Sequence, residues 1–298
     1  MKKVLTTILA VVALLACNNE HTPNGVQYPI VFGTSDTRAV ADLDDLKDGG
    51  FKVYAYVKGN AGSTSFAKDV EYYETQGVWA FTSPEYWLPN TTYSFKAFYP
   101  SVPSAGTLTV ANTDKNQDFS ITGFDITKQE DIMVASATAR VEAGALAPTA
   151  GSVVPLKFEH LLANVVVKIK AEVNVTINNV SLKYVPVNGS YADGSWSYSS
   201  QGNIVKDGLN KSLSSSSDEY HDVTDGGFLA FPCDINQTKL YINTSDKTYE
   251  LPLTAPASWV AGNRYAYTLT IKQNDILFDE PTVEEWDEEN ATGSVVIK

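Results

Sequence analysis

Two side chains have a chemistry set by what flanks them. Cys17 closes Leu14-Leu15-Ala16-Cys17, at the end of an apolar run that begins at Val4 behind Lys2 and Lys3. The run is too short to span a bilayer as a mature helix, so it reads as an export signal. A small residue followed by Cys at its end is what a lipoprotein signal peptidase accepts, and the Cys17 sulfur is then the atom acylated. The alternative is an ordinary signal with an incidental thiol. Arg38 lies in Thr34 to Ala39, a small polar stretch after the apolar Val26 to Phe32. A guanidinium pairs with an acid in the pocket of a trypsin-like protease, so Arg38–Ala39 is a candidate cut, and Arg38 reads equally as a solvated loop charge.

Catalytic chemistry is poorly supplied. The three histidines, His21, His160 and His221, are scattered. His160 ends an alternating run, where a structural hydrogen bond is the expected role. No nucleophile elbow, zinc-protease helix or phosphate-binding glycine loop occurs. Asp222-Val223-Thr224-Asp225-Gly226-Gly227 starts like a calcium loop but lacks the later ligands and closing Glu. Glu280, Glu284, Glu285, Asp287, Glu288 and Glu289 form an acidic face. The expectation is therefore no enzyme, no cofactor and no metal. Trp79, Trp87, Trp196 and Tyr198 offer flat faces on which a sugar could stack, although such residues more often fill a sheet core or its rim.

The elements that must carry these residues are strands. With 16 Tyr, 19 Gly and 13 Pro in 298 residues, the composition favours strands and turns over helices. The net charge of −13 argues against nucleic acid as a partner. If Cys17 is acylated, Cys233 has no disulfide partner and reads as a buried small hydrophobe. Val26 to Phe32 is a first strand with Tyr28, Ile30 and Phe32 on one side. Pro29 then requires an edge or a position whose N–H is not needed. Leu43 to Lys47 predicts a helical turn stopped at Gly49-Gly50. Phe51 to Lys58 alternates cleanly, with Phe51, Val53, Ala55 and Val57 on one face. Strands follow at 70–74, 78–81, 92–99, 106–110, 119–121 and 131–135, and residues 137–150 read as a loop.

A second half starts near Val153, with strands at 154–160, 164–173, 175–185, 195–198, 227–231, 239–242, 248–253, 265–271, 276–278 and 283–286. The serine run in 211–217 reads as a mobile surface loop. The architecture expected is all-β: two tandem β-sandwiches behind a lipoprotein signal. Its parts are a signal (1–16), a lipidated tether with a removable strand (17–38), a first sandwich (39–152) and a second (153–298). Trp286 reads as the last core residue. Beyond it, Asp287 to Gly293 is polar, and Val295, Val296 and Ile297 make a short β-prone run that either frays, pairs at its own sheet edge or donates a strand.

In order and spacing the chain resembles the fimbrillin family, the subunits of type V pili. The resemblance rests on the Cys17 lipobox, Ile30-Val31-Phe32, Thr37-Arg38-Ala39, the Phe51 to Val57 strand and Tyr93 to Pro100. It continues through Asp131 to Ala135, Leu156 to Ala163 and Trp259 to Tyr265. It implies transthyretin-like sandwiches and an outer-membrane lipid anchor. It also implies cutting after an arginine by a trypsin-like protease, and polymerisation with other pilus subunits by strand exchange. A sandwich lacking one strand exposes apolar side chains and unpaired backbone, which a neighbour's strand can cover. The competing reading is a surface lipoprotein that binds host or bacterial glycans or proteins and does not polymerise. Mass spectrometry of the membrane-bound form should find an acylated Cys17 as the mature N-terminus, and Cys17→Ala should release the protein. An unmodified N-terminus elsewhere would refute lipidation.

Overall fold

The structure, a computed structural model, describes residues 27–34, 46–148, 153–273, 275–279 and 281–286. In chain order the strands are β1 (Val31–Thr34), β2 (Phe51–Gly59), β3 (Gly62–Tyr73), β4 (Val78–Phe81), β5 (Thr91–Tyr99), β6 (Thr107–Val110) and β7 (Phe119–Asp125). Then come β8 (Met133–Val141), β9 (Val153–Leu156), β10 (Glu159–His160), β11 (Ala163–Ala171), β12 (Val175–Ala192), β13 (Ser195–Lys206) and β14 (Lys211–Leu213). The last are β15 (His221–Asp222), β16 (Phe228–Ala230), β17 (Lys239–Thr244), β18 (Thr248–Pro252), β19 (Asn263–Ile271), β20 (Ile276–Phe278) and β21 (Thr282–Glu285).

β2 shows why these residues make a sheet. Phe51, Val53, Ala55 and Val57 are buried while their neighbours are not, the alternation expected of a strand with one wet face. Its eight-stranded sheet has the order β10-β8-β5-β2-β3-β4-β1-β9 and curls until β9 meets β8, enclosing a first core. The second core lies between two sheets. In one, β11 pairs with β15, β16 and β19, and β19 with β20 and β21. In the other, β18-β17-β12-β7-β6 is extended by β13 and β14 on β12. The tandem β-sandwich expected from the sequence is what forms.

Hydrogen bonding does not follow the expected 152/153 boundary. The β6–β7 hairpin joins the second sheet system, Gly189 of β12 pairing with Phe124 of β7, and puts Ile121 and Phe124 into the second core. In return β9 and β10 join the first sheet, and Val154, Leu156 and Phe158 enter the first core. Alternation reveals a strand's buried face but not which sheet receives it.

Three local expectations also change. Residues 137–141 continue β8 rather than looping, because Ala137 and Ala139 face the core with Val141, and alanine carries little strand signal. Residues 211–213 of the serine-rich segment form β14 on β12, with Leu213 buried, so only the stretch after it turns. β12 runs past Val185 to Ala192 through register shifts that no periodicity reports. Of the helical turn expected at Leu43 to Lys47, residues 43–45 lie outside the described residues; residues 46–49 are helical and closed by Gly50 N donating to Leu46 O at 2.9 Å. Gly50 has φ 63°, and a Cβ there would stand 2.6 Å from the Val70 carbonyl oxygen, so only glycine fits.

The loop at the tip of the β6–β7 hairpin ties the two halves together. Asn112 Nδ2 donates to the carbonyls of Ala55 and Phe66 at 3.1 and 2.9 Å. Gln117 Nε2 donates to Tyr54 O at 2.7 Å and to Asn112 Oδ1 at 2.9 Å. Gln117 is almost wholly buried, so losing its amide strands partners that water cannot reach. Gln117→Ala should therefore cost about 1–3 kcal/mol in urea unfolding. A loss of only a few tenths would show that this amide does not hold the halves.

Candidate functional site

The N-terminal arm is built into the first sheet. β1 lies antiparallel to β4, with Val31 opposite Ala80 and Phe32 opposite Trp79. On its other side it is parallel to β9, with Val31 to Thr34 opposite Val153 to Leu156. Before the strand, Ile30 N donates to Glu85 O at 2.8 Å, and Trp87 N donates to Tyr28 O at 3.0 Å. These bonds straddle Pro29, which bridges to Tyr86. Its missing N–H is not needed there, the second of the two conditions under which the sequence allowed a proline.

Side chains hold the arm as firmly as its short ladders do. Ile30 and Phe32 are both buried, Phe32 completely. The Phe32 ring stands edge-on to Phe81 at 5.2 Å, to Phe95 at 5.4 Å and to Phe51 at 6.4 Å. Burial of side chains of this size contributes about 1.5–3 kcal/mol each. Gly33 lets β9 come close, since a Cβ there would lie 2.8 Å from Val153 Cγ1. The sequence marks Ile30 and Phe32 as one buried face of a strand expected at 26–32, and the ladder itself runs Val31–Thr34. The clamp from Pro84 to Pro89 has no such alternation, although two prolines bracketing Tyr86-Trp87 signal a rigid extended piece.

Cys17, Arg38, Ala39, Val295, Val296 and Ile297 lie outside the described residues. Trp79 and Trp87 are not sugar platforms, because both are buried in the first core, against Tyr72 and Tyr93 respectively. Trp196 is half-buried against Phe124 and Phe231 and donates from Nε1 to Leu161 O at 2.8 Å. Of the four aromatic candidates only Tyr198 is exposed, and its hydroxyl donates to Pro232 O.

His160 has the structural role expected. Its Nδ1 is 2.7 Å from Asp131 Oδ2, and its ring stacks on Trp286 with centroids 3.8 Å apart. Trp286 is half-buried against the second core, and its N–H donates to Gly262 O at 2.8 Å, which anchors the chain just before residues 287–298. Cys233 packs against the same core, and burial pushes its thiol up to about 12. In the suspected calcium loop, Asp222 instead accepts from Thr224 N, Thr224 Oγ1 and Gly226 N. Among the described residues no group of His, Cys, Asp and Glu could hold a metal ion.

Fold and arm together define a class: a β-sandwich protein whose N-terminal strand completes its first core from outside the main run of the chain. The chain belongs to the Fimbrillin-like family, whose pattern it matches over residues 37–286. No curated protein matches it. Among solved structures it is similar to a fimbrial protein from Bacteroides vulgatus, at 16% identity over 87% of this chain and 99% of that one, with a TM-score of 0.61. It is also similar to candidate cell adhesion proteins from Bacteroides uniformis (16% identity, 89% and 100% of the two chains, TM-score 0.56) and Bacteroides ovatus (17% identity, 81% and 89%, TM-score 0.51).

Phe32→Ala should destabilise the first core by about 3–5 kcal/mol. Urea unfolding of the full chain measures it. A cost below about 1 kcal/mol would show that the arm is not integral to the core.

Proposed function

We propose that this chain is a structural or adhesive subunit of a cell-surface pilus, exported as a lipoprotein anchored through Cys17. It assembles by strand exchange after a trypsin-like protease cuts between Arg38 and Ala39. The observation that carries the reading is the position of β1. It is an inner strand of the sheet in space, yet it ends at Thr34, ahead of Arg38. A cut after Arg38 severs its covalent link to the body and leaves only short ladders and the Ile30 and Phe32 side chains to hold it. Departure of the strand opens a slot between β4 and β9 lined by Phe51, Phe81 and Phe95. Such a slot is costly in water and suited to strand addition. The same cut frees the body from its lipid.

The proposed donor is the β-prone run Val295, Val296 and Ile297. Val295 and Ile297 fall on one face of an extended strand, as Ile30 and Phe32 do in the slot. Asp287 to Gly293 gives that segment a polar tether of about 23 Å at full stretch beyond the Trp286 anchor.

Brief trypsin treatment of the full chain should cut at Arg38 before other basic sites, leave a folded body beginning at Ala39 and yield fibres by electron microscopy. Arg38→Ala should block cutting and assembly, and a normal yield of fibres from that variant would overturn the proposed licensing. Removal of residues 287–298 should leave subunits that accept a strand but do not extend a fibre. Long fibres from the truncated chain would place the donor elsewhere.

A further inference from the structure

Tyr184 interrupts the pairing of β12 with β13. Lys183 pairs with Asn203 and Val185 with Gly202, and the register shifts between them to leave Tyr184 as the extra residue. Its φ is 60°, in the left-handed region, where a bulky side chain costs about 1–3 kcal/mol. Burial does not repay that strain, because the ring is 50% exposed. The bulge turns an aromatic ring out of the pleat onto the outer face of the sheet.

The groups around this ring are already arranged. Leu240 and Ile242 of β17 point into the core, so Lys239 and Tyr241 lie on the outer face, where Tyr241 is opposite Glu250 of β18. The Lys239 ammonium is 5.9 Å from the centre of the Tyr184 ring and pairs with the Glu250 carboxylate. The Glu250 carboxylate opposite it pushes the Tyr241 phenol up to about 12. The Lys183 ammonium sits 3.4 Å above the Tyr241 ring. Ordinary cross-strand pairing accounts for Lys239 with Glu250 and for Lys183 with Tyr241. It does not account for a strained, outward Tyr184 beside them.

We propose that Tyr184, Lys239 and Glu250 form a binding site for a neutral pyranose ring of a glycan. One C–H face of the sugar stacks on Tyr184, the ammonium donates to a hydroxyl oxygen, and the carboxylate accepts from a neighbouring hydroxyl. An aromatic face next to a charged donor and a charged acceptor matches a molecule that has an apolar face and a rim of hydroxyls. Because Lys239 and Glu250 hold each other in place, less side-chain freedom is lost on binding. The chain's net charge of −13 repels polyanions at long range, which favours a neutral sugar over an acidic one. The proposal deepens the adhesive half of the reading above. Its readout is binding by unassembled chain, so its failure and a failure of strand exchange are separate results.

The test presents the uncut full chain to immobilised neutral gluco-, galacto- and mannopyranose oligosaccharides and to sialylated counterparts, with retention measured by biolayer interferometry. At least one neutral oligosaccharide should be retained. Tyr184→Gly, which relieves the strained φ, and Glu250→Gln should each weaken retention at least tenfold without lowering the melting temperature, whereas Tyr184→Trp should preserve it. The proposal is overturned if no neutral sugar is retained, if only sialylated sugars are, or if Tyr184→Gly binds as the parent does.

Discussion

Phe32 meets Phe81 and Phe95 nearly edge to face, with ring centres 5.2 and 5.4 Å away, and these three rings come from β1, β4 and β5. Edge-to-face aromatic packing is directional, so the ring positions the strand as well as filling space. The neighbouring pieces depend on it. β4 is only Val78–Phe81, and β9 is Val153–Leu156 in parallel register, which pairs slightly less stably than antiparallel. Without β1, both become short edges over an aromatic cavity. The first core is thus complete only while a strand occupies that place, and its chemistry asks only for alternate apolar side chains.

The two halves are tied to each other as well as to the arm. Each half lends strands to the other, β6–β7 in one direction and β9–β10 in the other. Polar side chains close the remaining gaps. Gln129 of the first half accepts from Leu229 N at 2.9 Å and donates to Leu229 O at 3.0 Å, occupying the outer edge of β16 as a strand would. Glu130 likewise accepts from the backbone N–H groups of Ser104 and Ala105. Half-buried amides and carboxylates that satisfy backbone groups fix one arrangement by direction, which apolar contacts do not.

Much of this was legible in the residues, for identifiable reasons. Phe51 to Val57 and Ile30 to Phe32 announced their buried faces because a period of two is unambiguous when large apolar residues mark it. His160 has its expected structural hydrogen bond and Trp286 packs against the second core, though nothing in their spacing foretells that they stack on each other. The strands of β8 made by Ala137 and Ala139 were hidden by small side chains, and Trp79 and Trp87 looked available because an aromatic residue in a turn-rich stretch does not declare its depth. Tyr184 leaves no mark in the sequence because a bulge is a property of two strands together. No pattern within β12 alone records it.

The pairing of β1 with β9 also has a mechanical side. The two strands run in the same direction, the chain enters β1 from residues 27–30 at its N-terminal end, and β9 leads within a few residues to His160, on which Trp286 rests. A pull between the start of β1 and Trp286 therefore draws on opposite ends of two parallel strands. That loads their hydrogen bonds in shear, all together, instead of opening them one at a time. The ladder is short, but the force on it is shared, so the arm resists tension along its axis far better than its length suggests. Against a sideways lift the same bonds would break one after another.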